Sequence, residues 1–256
     1  MTSNNFDKRS DRHFKKGDKY YRFVTELFHY KFKNNDAPFN FFKPNMVAIY
    51  LSVSDKALQN AVHILNDFLI PNIQYEKVDN SYKLNSVVKE DVVFDFIESI
   101  VISVSFAYTA VEAFINSLIP SDFIFPYKDN GILKNVDCFY IQRNIPIDIK
   151  IKKVIPKALQ VNFHANSFKL WRKFTDLKKY RDELIHLKKD VIINDKSTQL
   201  NFIQFLVNDV INENIISSAR KLIEYISKKI HNNPTIPYEF CSEPIELSEI
   251  LKYYKK

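Results

Sequence analysis

Val93, Ile97, Ile100, Val104, Ala107, Val111, Phe114 and Leu118 step along the chain by four and three, and Phe94, Val101, Tyr108 and Ile115 widen the same stripe. Only a helix places residues at that spacing on one face. The pattern predicts a helix over residues 87–119, closed by Pro120. Glu98, Ser105, Thr109, Glu112 and Asn116 fall on its other side in the same register. So long an apolar face must be covered by other helices, which sets the expected fold class: mainly all-α, a bundle around long core helices. The stretch 100–119 is also apolar enough to raise a membrane span. Glu112 and Asn116 inside that window count against it, because a charge near mid-span costs about 2.5–3.5 kcal/mol on insertion scales. A soluble chain with no membrane partner is expected.

Two further helices carry the same signal. Leu170, Phe174, Leu177 and Leu184, with Trp171 beside them, make a stripe that Ser167 is placed to cap. From about Ser197, Ile203, Leu206 and Val210 make one stripe and Ile215, Ala219, Leu222 and Ile226 another, with a slip in register at Asn212-Glu213-Asn214. No proline interrupts residues 157–233. Residues 87–230 therefore form the expected bundle. Its middle, 120–146, reads as a loop-rich connection with some short structure near Cys138–Gln142. Pro146 stands where a helix over IDIKIKKVIPKAL begins, and Pro156 limits it. Before the bundle, residues 1–17 read as a disordered tail and 18–86 as an N-terminal helical extension. That extension has a helix over 19–32, a Phe-rich loop punctuated by Pro38 and Pro44, and a helix over 54–69 capped by Ser54 and ended by Pro71. A small hairpin fits 72–85, around Asp79-Asn80-Ser81. After the bundle, 231–256 reads as a C-terminal extension with a short helix over 245–254.

Composition removes several function classes. With only two glycines in 256 residues, no dinucleotide-binding or P-loop motif can be written. Cys138 and Cys241 match no zinc spacing, and His13, His63, His164 and His231 show no ligand pattern, so no metal and no cofactor is expected. Residues 1–19 are polar and charged with no apolar export core, and two unpaired thiols suit a reducing compartment. A cytoplasmic location is expected. The net charge of +7 and the pI of about 9.1 suit a polyanionic partner such as RNA. A Lys-, Asn- and Ile-rich coding bias would give the same excess with no partner at all.

The chemistry concentrates in KKYRDELIHLKK. Position 181 continues the stripe Leu170, Phe174, Leu177, Leu184, yet it is Arg. A cation on a core-facing stripe is costly unless it is paired or lines a cleft. Asp182 and His186 are four apart and share a helix face, where a carboxylate can fix an imidazole. Arg181 is five residues before His186, about 140° round the helix. Lys178, Lys179, Lys188 and Lys189 flank the set and suit RNA-backbone phosphates. Arg22 and His29 also satisfy an Arg-x6-His spacing, but they are read as a solvated helix face.

This stretch resembles the Arg-x4–6-His signature of the HEPN family (higher eukaryotes and prokaryotes nucleotide-binding domains), in which a polar residue follows the arginine, as Asp182 does here. AYTAVEAFIN resembles the family's earlier helix with small residues and a glutamate before an Asn. The short helix before the motif and the helix after it fall in the family's order, over about residues 87–230. The resemblance implies a bundle of four or five helices that cleaves RNA without metal, often as a homodimer, in toxins or antiviral defence effectors with an antitoxin or defence-system partner. It assigns Arg181 and His186 to catalysis and Asp182 to orienting His186. Glu112, with Asn116, would support Arg181 from the facing helix, although a solvated or capping carboxylate explains Glu112 as well. Lys188 occupies the position where some members carry an acceptor Tyr, so control by nucleotidylation is not implied. Other members only bind nucleic acid or protein, and a non-catalytic RNA- or protein-binding module remains the alternative.

Overall fold

The computed structural model describes residues 15–16, 19–20, 25–32, 35–42, 44–78, 81–86, 89–161, 168–185, 206–212 and 215–230. The fold is mainly all-α, with small two-stranded hairpins as its β structure among these residues. The chain divides into two compact units. One comprises residues 1–49, 111–165 and 223–256, the other residues 50–110 and 166–222.

The second unit holds most of the long helices. Helix α1 (Met46–Ile64) opens on Asn45, whose Oδ1 accepts the Ala48 N–H at 3.1 Å. A wider turn over Leu65–Leu69 prolongs it, closed by the Ile70 N–H on the Leu65 carbonyl, and α2 (Ile70–Asn72) finishes it. Ser54 therefore does not cap a helix. It is fully buried, and it exchanges hydrogen bonds with Ser103 on α3 (Glu90–Ser117), each hydroxyl donating to the other residue's carbonyl at 2.8 Å. Asn60 Nδ2 donates to Ser99 Oγ at 2.9 Å, so the polar groups on these facing helices are satisfied.

On α3 the expected stripe is the buried one from Ile100 to Leu118, with Ile100, Val104, Ala107, Val111 and Phe114 wholly inaccessible. Nearer its start the buried face turns to Phe96 and Ser99, and Phe94 is 64% exposed, unlike the expected pattern. By length and composition alone α3 is apolar enough to cross a membrane.

The first unit is built on shorter elements. Strands β7 (Phe125–Asp129) and β8 (Ile132–Val136) pair antiparallel where a loop was expected. Their connection is Asn130-Gly131, both at positive φ (48° and 88°), the two-residue turn whose twist matches the strands. Helix α4 (Cys138–Asn144) follows, its N-terminus capped by Asp137, whose carboxylate accepts the Tyr140 N–H at 2.7 Å. Pro146 opens the next helix as expected: α5 (Ile147–Ile149), a wider turn over Lys150–Val154, then α6 (Ile155–Leu159). Pro156 does not stop it. In the wide turn the Ile155 N–H bonds the Lys150 carbonyl, five residues back, and the next residue is the proline, which has no N–H to place. The helix ends only at Gln160, in the left-handed conformation.

The expectation for residues 19–32 is overturned. Where a helix was predicted over 19–32, strands β1 (Lys15–Lys16) and β2 (Lys19–Tyr20) pair, and β3 (Thr25–Phe32) pairs with β4 (Asn35–Phe42). His29 thus lies on a strand opposite Pro38, and Arg22 lies outside the described residues. The aromatic period of two at Phe28, Tyr30 and Phe32 outweighs a marginal helical pattern. A two-stranded hairpin also tolerates Pro38, since each strand has an edge that needs no N–H donor. The expected hairpin in 72–85 is present as β5 (Ile73–Val78) and β6 (Ser81–Ser86). The C-terminal extension and most of the N-terminal tail lie outside the described residues.

A Cβ on Gly131 would meet no atom within 4 Å, so its substitution tests backbone strain alone. Gly131→Val should lower the unfolding free energy by about 1–2 kcal/mol in urea titration, whereas Lys134→Ala on the same hairpin should leave it nearly unchanged.

Candidate functional site

The motif helix is α7 (Phe168–Ile185). Phe174 and Leu177 are buried at its centre, and Arg181 lies one turn further along their stripe. Its side chain is 29% exposed. The guanidinium carbon stands 4.8 Å from the ring centre of Tyr108, which is 5% exposed. The Tyr108 ring also stacks with Phe174, the two parallel within 2° with centres 6.0 Å apart, and Trp171 packs against Phe174 at 5.7 Å. An aromatic face is the one apolar surface that attracts a cation, which is how an arginine is kept on this stripe.

Arg181 also donates from Nη1 to Asp182 Oδ1 at 2.7 Å. Asp182 is therefore engaged with the arginine, the acceptor that Arg181 has among the described residues. This pair is partly exposed, so it orients more than it stabilises. His186, which Asp182 was expected to orient, lies outside the described residues, as do Lys188 and Lys189. Lys178 and Lys179 are on α7. Lys179 approaches Glu183 at 3.7 Å, one helical turn on, and is 68% exposed.

Asn116, one turn beyond Glu112 on α3, meets a residue outside the expected set. Lys150 is 1% exposed, and its Nζ donates to Asn116 Oδ1 at 2.9 Å and to the Gln142 carbonyl at 2.7 Å. Gln142 Nε2 in turn donates to the Asn116 carbonyl at 3.0 Å. Burial pushes the Lys150 ammonium below its ordinary pKa, and the negative charge of Glu112 partly opposes this. The structure thus ties Asn116 to Lys150, while Glu112 acts on the lysine only as a nearby negative charge. The signal was available: Ile147, Lys150, Ile151 and Val154 have apolar helical spacing with one Lys in it, the pattern that marked Arg181.

Cys138 donates to the Ile119 carbonyl at 3.6 Å, and burial, with Asp137 beside it, raises its thiol pKa. Such a thiol is a poor nucleophile. Among the described residues no three His, Cys, Asp or Glu side chains converge as a metal site. Comparison with protein-family models, curated proteins and solved structures gives no match.

The Lys150 environment has a pH signature. A neutral amine keeps two N–H donors, enough for both recorded acceptors. Its folded pKa is lowered, so between that value and about 10.4 the unfolded chain binds more protons and stability rises with pH. Below that window both states are charged and the contribution is flat. Urea unfolding of wild type and Lys150→Met from pH 7 towards pH 10 should show the wild type gaining relative to the variant. Parallel curves would mean that Lys150 titrates as it does in the unfolded chain.

Proposed function

We propose that this chain is a metal-independent endoribonuclease of the HEPN type, a toxin or defence effector acting on cytoplasmic RNA as a homodimer. The observation that supports this reading is the placement of Arg181. It is an arginine retained on a core-facing stripe, backed by the Tyr108 ring and steered by Asp182, five residues before His186 in sequence. A guanidinium so held presents fixed N–H donors suited to the oxygens of a phosphodiester.

In this mechanism the ribose 2′-oxygen attacks phosphorus and the bond to the 5′-oxygen breaks. One His186 imidazole accepts the 2′-OH proton, or protonates the departing 5′-oxygen, and the paired copy of the motif in a dimer supplies the complementary role. Arg181 offsets the charge that builds on the non-bridging oxygens. The products are a 2′,3′-cyclic phosphate and a 5′-OH, and DNA, lacking the 2′-OH, is not cut. Lys178, Lys179, Lys188 and Lys189 neutralise neighbouring phosphates. The reaction needs no metal or cofactor.

A second reading, a non-catalytic RNA- or protein-binding module, is favoured by one observation: Asp182 is spent on Arg181 and Lys179 is near Glu183, as in a surface ion-pair array. Expression of wild type, His186→Ala and Arg181→Ala in cells separates the two. Cleavage, read as new RNA ends bearing 2′,3′-cyclic phosphate, should fall by at least about 100-fold in both variants at equal protein level. RNA left intact by all three proteins, with salt-sensitive RNA binding by the purified chain, would select the binding module.

A further inference from the structure

We infer that Tyr108 is the positioning residue for Arg181, setting the plane and direction in which the guanidinium meets a phosphodiester; the inference rests on the nuclease reading above. Phe174 and Arg181 are seven residues apart on one stripe of α7, and both meet the ring of Tyr108 from α3. Phe174 is 1% exposed with its ring parallel to that of Tyr108, itself 5% exposed, so close packing restrains the Tyr108 ring. The guanidinium carbon lies over the Tyr108 ring, 4.8 Å from its centre. The N–H donors of a guanidinium lie in its own plane, where a phosphate is bound through two parallel bonds, so a ring that restrains the group also aims those donors. The bond to Asp182 fixes rotation within that plane.

An arginine loose by 1 Å would still be charged and would still attract RNA, but it would no longer meet the transition state. Tyr108 therefore acts through Arg181 and need not touch the substrate. Nothing in the RNA-cleavage motif itself points to it, since it lies on another helix.

The full-length chain with Tyr108→Phe, Tyr108→Leu and Tyr108→Met tests this by two readouts. The first is the Arg181 side-chain NMR resonance, Nε–Hε with the attached Hδ protons, assigned by its absence from Arg181→Lys. Over a ring face these protons are shifted upfield. Wild type and Tyr108→Phe should share the shift, and Leu and Met should lose it. The second is single-turnover RNA cleavage per folded molecule. The Leu and Met variants should lose roughly 10- to 100-fold in rate with the RNA concentration dependence little changed, and Tyr108→Phe should stay near wild type. If one aliphatic variant does not fold, the other carries the comparison, and Phe174→Leu, which removes the ring's backing, should weaken the same shift. An upfield shift that survives in Leu and Met overturns the inference, as does a lost shift with an unchanged cleavage rate. If the wild type cleaves no RNA, the nuclease reading fails by itself, and the resonance alone decides whether Tyr108 holds Arg181.

Discussion

Burial of one continuous stripe on α3 is the constraint on which the rest of the chain depends. The stripe supplies Phe96, Ile100, Val104, Ala107 and Ala110 to one compact unit and Val111, Phe114 and Ile115 to the other, all of them wholly inaccessible. Each large apolar side chain so buried is worth about 1.5–3 kcal/mol. Among the described residues no other helix has so long a buried face. The polar residues within it are consistent with that role. Ser103 and Ser99 are buried, but both are hydrogen-bonded to α1, so neither leaves an unsatisfied group in the core.

Among the described residues Arg181 and Lys150 each interrupt an apolar stripe, and they are accommodated differently. Arg181 remains partly exposed, with an aromatic face below it and a carboxylate beside it, an arrangement that keeps the charge and directs it. Lys150 is withdrawn from water, which weakens its hold on the proton, and it donates to two neutral oxygens. The first environment suits a group that must meet an anion. The second suits a fastener, joining α3 at Asn116 to α4 at Gln142 through the helical segment that carries Lys150. The same irregularity in a sequence pattern therefore has two structural outcomes, decided by what surrounds the end of the side chain.

The helices were legible wherever period and length agreed. Leu177 and Phe174 on α7, and Ala219, Leu222 and Ile226 on α8 (Ser217–Ile230), are buried as their spacing required. The region before α1 was misread because 19–32 has enough apolar residues for either period, and its pairing partner, 35–42, begins beyond the window in which a helix would be judged. The β7–β8 hairpin was missed although Asn130-Gly131 is among the strongest turn signals a sequence can carry. Phe94 was assigned inward by spacing and is exposed, because a helix's period fixes which residues share a face but not how far that face is covered at its end.

By itself the sequence determined the mainly all-α fold, the long helix with its apolar face, and the presence of Arg181 on a core-facing stripe ahead of His186. These follow from the 3.6-residue repeat, which is local and needs no knowledge of neighbours. Tertiary structure alone decided that Arg181 rests on Tyr108, that Asp182 turns to the arginine, and that Asn116 receives a buried Lys150. The first and third of these join residues far apart in the chain, and the second joins neighbours whose side chains the packing turns toward each other. They depend on how packed helices are rotated against one another, which is set by the fit of many side chains at once and is written in no single stretch of sequence.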